Sequence, residues 1–205
     1  MTLALIAALA GMSQAGDVVL WDNELQANGV SGMAVSGPRF PTTRVADDFI
    51  VPEGQRWHIK RFTYVAANEP TWKDGGISEI CVWSDNGGRP DKTVAEGISP
   101  HSRSFQTVID GMDCYIYTVK GLDIVLPPGR YWIGPHHPEA SGEGTAWWMT
   151  SSGGKREPAN LQGWVSHDYQ DGKGNWTTLD GNGWDGGYWH QAFQIGGRVL
   201  RGGEQ

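Results

Sequence analysis

The sequence predicts an all-β chain, an antiparallel two-sheet sandwich or jelly roll forming a single domain with a long Gly/Trp-rich C-terminal loop region. Three observations predict it. Apolar and polar residues alternate with period 2, in runs rich in β-branched and aromatic side chains, from Val18 onward. Clusters of Gly, Pro, Asn and Asp bound those runs, and no window holds a sustained 3.6-residue period with helix caps. About ten short strands at turn-punctuated spacing are what two packed antiparallel sheets require.

Taken in order, Val18-Val19-Leu20-Trp21 opens the series, and the run 45–51 follows, ending at Pro52. Within 56–65, Trp57 and Ile59 share one phase while Phe62 and Tyr64 share the other. A one-residue slip turns every later side chain to the opposite face, so a bulge is expected near Lys60-Arg61. The runs 77–84, 104–109, 114–119 and 122–126 come next, the first closed by the turn Asp85-Asn86-Gly87-Gly88-Arg89-Pro90. Leu126-Pro127-Pro128-Gly129 turns the chain into 130–134, where Gly permits positive φ and Pro fixes φ negative. The stretches 145–150, 162–166 and 190–195 complete the set. Between Ser151 and Gly187 lies a Gly-rich region holding Trp164, Trp176 and Trp184, with Trp189 beside it. Long Gly-rich loops in compact domains are usually functional or disordered, and the tryptophans favour function.

Composition narrows the partners. The 205 residues carry 16 Lys+Arg and 23 Asp+Glu, a net charge of −7, with no basic cluster. A phosphate backbone or an anionic membrane surface is therefore a poor partner, since both attract through cationic side chains. Leu3 to Ala10 form an apolar run too short to span a bilayer, and Ser13-Gln14-Ala15 supplies a small-x-small cleavage pattern. Residues 1–15 are thus expected to be a signal peptide, leaving 16–205 as one exported domain, secreted or periplasmic, with no membrane insertion once the leader is removed. In an oxidising compartment Cys81 and Cys114, both in strand-like runs, are expected to pair as a disulfide, stabilising the fold by about 3–4 kcal/mol for a loop of this size.

Several segments together carry a resemblance: Val45-Ala46-Asp47-Asp48-Phe49, Trp57-His58-Ile59, Val82-Trp83-Ser84-Asp85-Asn86-Gly87-Gly88-Arg89-Pro90, Gly129-Arg130-Tyr131-Trp132-Ile133 and Gln191-Ala192-Phe193-Gln194-Ile195. The chain resembles secreted bacterial β-sandwich domains with an Ala-Asp-Asp-Phe strand and a Gly-x-Tyr-Trp strand, found in surface and sorting-signal proteins and largely without an assigned activity. The resemblance covers most of residues 18–197. It implies the fold and export, and it carries over no catalytic residue.

Function is sought in the 11 tryptophans. An exposed indole flanked by Asp, Asn and Gln offers a sugar ring a flat apolar platform and partners for its hydroxyls. Adjacent Trp147 and Trp148 must face opposite sides of a strand. Trp148, Trp164, Trp176, Trp184, Tyr188 and Trp189 are therefore the candidate carbohydrate-binding residues, and a polysaccharide or cell-surface glycan is the expected partner. Asp168, Asp171, Asp180, Asn182 and Asp185 supply five oxygen ligands within eighteen residues, toward the roughly six to eight that a structural calcium ion takes, or else serve as turn caps. Asp47-Asp48 would place one carboxylate toward the interior, most simply as a backbone cap. His136-His137 precede Pro138, and a chain-distant histidine could join them at a metal, although no HxH or HExxH spacing is present. No nucleophile elbow, phosphate loop or CxxC motif occurs. The expected function is a non-catalytic carbohydrate-binding module that requires no cofactor. A polysaccharide-degrading enzyme on the same scaffold and a structural surface or matrix protein are the alternatives.

Overall fold

The structure, a computed structural model, describes residues 16–151, 163–170, 172–178 and 190–200. Among these residues there are strands and no helix: β1 (Val18–Asp22), β2 (Ala27–Ser36), β3 (Arg44–Val51), β4 (Arg56–Asn68), β5 (Trp72–Lys73), β6 (Ile77–Asp85), β7 (Pro90–Ile109), β8 (Met112–Leu126), β9 (Gly129–His136), β10 (Ser141–Gly142), β11 (Ala146–Ser151), β12 (Trp164–Ser166), β13 (Thr177–Thr178) and β14 (Phe193–Leu200). Every pairing between them is antiparallel. The expected all-β antiparallel sandwich is the observed architecture.

One sheet runs β1-β14-β4-β8-β7, with β11 continuing along β4 beyond β14 and β2 pairing β11. The other runs β7-β6-β9-β3-β12-β13. The 20-residue β7 belongs to both: its ladder with β6 ends at Ile77↔Pro100, and its ladder with β8 begins at His101↔Val119. Proline has no N–H to give a ladder, so Pro100 marks where one set of pairings ends. The core fills with rings drawn from both sheets. Phe49 stacks on Trp57 at 6.1 Å and on Tyr131 at 5.7 Å, while Trp148 meets Phe62 and Phe193 edge-on at 6.1 and 5.8 Å.

The register of β4 shifts between Ile59 and Arg61 against β8, at the expected bulge. Trp57, Ile59, Phe62 and Tyr64 are consequently all buried although two phases are involved. Two expected runs, 114–119 and 122–126, are one strand, β8, in which Gly121 takes φ +76°. The run 104–109 is only the end of β7. Strands β2, β5, β10 and β13 were not anticipated. The Gly- and Ser-containing β2 lacks a β-branched run and is a strand because β11 pairs with it.

The expected disulfide is absent. Cys81 and Cys114 are buried free thiols. Cys81 lies opposite Glu96 on β7 and Cys114 opposite Thr107, eleven positions farther along the same strand. Eleven extended residues measure roughly 35 Å along the chain, against a usual limit of about 7 Å between bridged Cα atoms. Burial pushes the Cys81 thiol up to about 12 and the Cys114 thiol up to about 11. Both are poor nucleophiles at neutral pH.

A thiol reagent should therefore find no rapidly reacting cysteine in the native protein and two after denaturation without reductant. A denatured count of zero would restore the bridge. Gly134 of β9 tests the sheet packing: a Cβ there would overlap the carbonyl oxygen of Val45, a backbone atom held in β3. Gly134→Ala should cost about 2 kcal/mol or more in denaturant unfolding, whereas Gly54→Ala, whose Cβ would meet open space, serves as a control carrying only the strain of φ +77°.

Candidate functional site

Nine of the 11 tryptophans fall among the described residues, and six of them are buried. Burying an indole is costly unless its N–H finds an acceptor. Trp21, Trp57, Trp83, Trp132 and Trp148 donate to Asn23, Gln55, the Tyr169 hydroxyl, Asp85 and the Ala192 carbonyl, at 2.9–3.1 Å. Half-buried Trp147 donates to Glu69 Oε1 at 3.1 Å. The N–H groups of Trp72 and Trp176 are buried and have no partner among the described residues. Each of these two indoles lines a groove.

The groove at Trp176 has a volume of about 580 Å³ and is lined by Arg89, Asp91, Asp168, Gln170, Asn175 and Trp176 among others. Its floor is built from aromatic edges: Trp176 meets Trp83 at 5.0 Å and Tyr169 at 6.1 Å. Tyr169 is fixed in turn by hydrogen bonds linking its hydroxyl with Trp83 Nε1 at 3.0 Å and Thr93 Oγ1 at 2.6 Å. Two elements place these residues. The turn between β6 and β7 and the first residues of β7 carry Arg89 and Asp91, and the segment between β12 and β13 carries Asp168 to Trp176. Asp168 accepts from the Asn175 backbone N–H and side chain and from Ser166 Oγ, and these bonds hold its carboxyl below the usual range.

The structure thus sorts the candidate residues. Trp176 and Asp168 are brought together in one groove. Trp164 is half-buried and packs edge-on against Trp132 at 6.4 Å, within the same aromatic cluster. Trp148 corrects the expectation: it is fully buried in the main core, and its partner on the strand, Trp147, is the one that is partly open. The strand alternation required that one of the pair face inward, and β11, pairing with β2 and β4, turns Trp148 toward Phe62 and Phe193. Trp184, Tyr188 and Trp189, and the oxygen donors Asp171, Asp180, Asn182 and Asp185, lie outside the described residues. Of the expected calcium set only Asp168 is described, and its oxygens serve the turn.

Two buried polar clusters were only faintly legible. In the first, Asp47 and Asp48 are both interior, at 0% and 5% exposure, rather than one in and one out. Asp47 accepts from the backbone N–H of Gln191 at 2.5 Å and of Asp48 at 2.9 Å, and pairs with His190 at 3.2 Å. Asp48 pairs with Arg130 at 3.2 Å. Burial and the neighbouring Asp47 push the Asp48 carboxyl up, against the pull of Arg130 and His190. Burial would lower His190, but the charge and hydrogen bond of Asp47 raise it to about 9.

In the second cluster, a chain of contacts runs from Asp74 to His101 Nε2 at 3.0 Å, from His101 Nδ1 to Ser78 Oγ at 2.8 Å, from Ser78 to the Tyr64 hydroxyl at 2.9 Å, and from there to His137 Nε2 at 3.0 Å. Burial, with help from His101, pushes His137 down to about 3, so this imidazole is neutral at physiological pH. The adjacent His136 turns elsewhere, its Nδ1 donating to the Val35 carbonyl at 2.7 Å.

No family model matches the chain, and no curated protein or solved structure matches it.

The Asp47–His190 pair fixes a pH dependence. A histidine whose folded value, about 9, exceeds its unfolded value stabilises the fold fully below about pH 6.5, and that contribution is lost as pH rises through 9. Stability measured by urea unfolding should fall between these limits by at most about 1.4 kcal/mol per pH unit. His190→Asn should flatten that decline, and an unchanged slope would show that the pair does not carry it.

Proposed function

We propose that this protein is a non-catalytic carbohydrate-binding module whose platform is Trp176, and that its ligand is a polysaccharide or surface glycan. The observation that carries the reading is the half-buried indole of Trp176, whose N–H has no partner among the described residues, in a groove lined by Asp168, Asn175, Gln170, Arg89 and Asp91. Saccharides present axial C–H groups on one face and hydroxyls around the rim. An aromatic surface set among carboxylate, amide and guanidinium groups matches both. The edge-to-face support from Trp83 and Tyr169 holds the indole before a ligand arrives, which lowers the entropic cost of binding. The Asp168–Asn175 bonds do the same for the polar rim. Trp164 packs in the same aromatic cluster, and Trp184, Tyr188 and Trp189 are further candidates from the same region of sequence. In this reading residues 1–15 are an export leader, and the mature chain meets its glycan outside the cytoplasm.

The buried acid pair Asp47 and Asp48 does not serve hydrolysis in this reading, because both carboxylates are enclosed and committed to Gln191, His190 and Arg130.

Retention on a panel of immobilised polysaccharides, followed by intrinsic fluorescence, tests the proposal. Trp176→Ala should weaken binding about tenfold or more, equivalent to about 1.4 kcal/mol. Undiminished retention with a correctly folded variant would remove Trp176 as the platform. Release of soluble products from the panel would favour the enzymatic alternative.

A further inference from the structure

We propose that Asp74, His101 and His137 form a binding site for a divalent transition-metal ion of the zinc class. The three residues come from distant parts of the chain. Asp74 lies in the turn between β5 and β6, His101 at the point where β7 changes sheets, and His137 just after β9. Each offers one ligand atom, and the three atoms all lie within 4.8 Å of one another. Ligands held about 2.0–2.1 Å from a common ion in a tetrahedral set stand about 3.4 Å apart, so closure from 4.8 Å needs each of the two atoms to move by less than about one ångström.

The donor set selects the ion. Two imidazoles with one carboxylate suit zinc and its neighbours, and leave a fourth position for water, whereas calcium and magnesium require more oxygen ligands. The site has the surroundings that orient metal-binding histidines. The Ser78 hydroxyl holds one nitrogen of His101 and the Tyr64 hydroxyl holds Nε2 of His137, each at 2.8–3.0 Å. Tyr117 and Trp72 pack edge-on against the His137 ring at 5.2 Å. His137 Nδ1 is buried with no hydrogen-bond partner among the described residues, in a residue only 2% exposed. An unpaired ring nitrogen enclosed at this depth is a free coordinating atom.

Access comes from a groove of about 300 Å³ lined by Asn68, Trp72, Arg103, Asp113 and Tyr115 among others. Trp72 joins this groove to His137, and Arg103 joins it to Asp74, with Nε 3.4 Å from Asp74 Oδ2. In the metal-free protein the guanidinium is therefore a counter-cation at the site. It also lies over the Tyr115 ring at 4.5 Å, and its side chain is 38% exposed, so it has an outward position to occupy when an ion enters. Metal and Arg103 compete for Asp74.

That competition distinguishes a metal site from a merely structural polar network. Full-length protein stripped with a chelator is titrated with zinc by calorimetry and with cobalt by visible absorption. We expect one equivalent bound, a cobalt spectrum of low coordination number, and a melting temperature raised by about 5–10 °C at zinc roughly one hundred times Kd. Asp74→Asn and His101→Gln should each weaken zinc at least tenfold, Arg103→Gln should tighten it, and His58→Asn, on the opposite strand end, should change nothing. Stoichiometric binding that persists in both ligand variants, or no binding to a folded wild-type protein, overturns the proposal. Folding of each variant is checked by the denaturant midpoint, and glycan retention is measured separately so that the two sites fail independently.

Discussion

The change of partner along β7 is the constraint on which the rest of the structure depends. A single 20-residue strand pairs β6 through Pro100 and β8 from His101, so the two sheets cannot be laid down independently. The proline contributes no donor at the handover, and the backbone N–H of the next residue, His101, is taken by the Gly76 carbonyl at 3.1 Å. Around this handover Ser99 Oγ donates to the Lys120 carbonyl at 2.7 Å, and Gly97 leaves room for Leu122. The sheets so joined close over rings from Phe49, Trp57, Phe62, Tyr64, Trp148 and Phe193, whose burial is the main favourable term.

The same closure forces polar groups into the interior, where each needs a partner. Asp47 and Asp48 bring two carboxyl groups into the core, and His190 and Arg130 pair with them there. Removing any one would leave a buried polar group without its partner, which costs more than the pair itself contributes. At the other end of the sandwich the handover places His101 against Asp74 and near His137. There, among the described residues, His137 Nδ1, Asn68 Oδ1 and Trp72 Nε1 are buried without a hydrogen-bond partner, as are the side-chain amide atoms of Gln191 in the first cluster and the Trp176 N–H. Buried polar groups of this kind are few in native proteins.

How much was legible follows from the range of the interactions. The alternation along Ile77–Asp85 and Gly129–His136 gave those strands nearly to the residue, because period 2 is a local signal. The phase change in 56–65 located the bulge for the same reason. Trp176 and Asp168 were legible separately, one as an aromatic platform and the other as a possible calcium ligand, because both lie in one Gly-rich segment; that they line the same groove was not. Trp148 was not separable from Trp147, since alternation says that the two face opposite ways and never which one faces in. His137 carried a weak signal, its neighbour His136, and that neighbour proved to be committed to Val35.

Composition and periodicity by themselves determined an all-β antiparallel sandwich, a net charge of −7, and an aromatic-rich region toward the C-terminal part of the sequence. These are sums over local preferences, and they survive ignorance of the partners. Only the tertiary structure decided that the cysteines stand eleven positions apart along β7, that both adjacent aspartates are buried, and that Asp74, His101 and His137 converge. Each of those outcomes depends on which strand lies beside which, and strand order in an antiparallel sandwich is set by packing across the core, which leaves no periodic trace in any one segment.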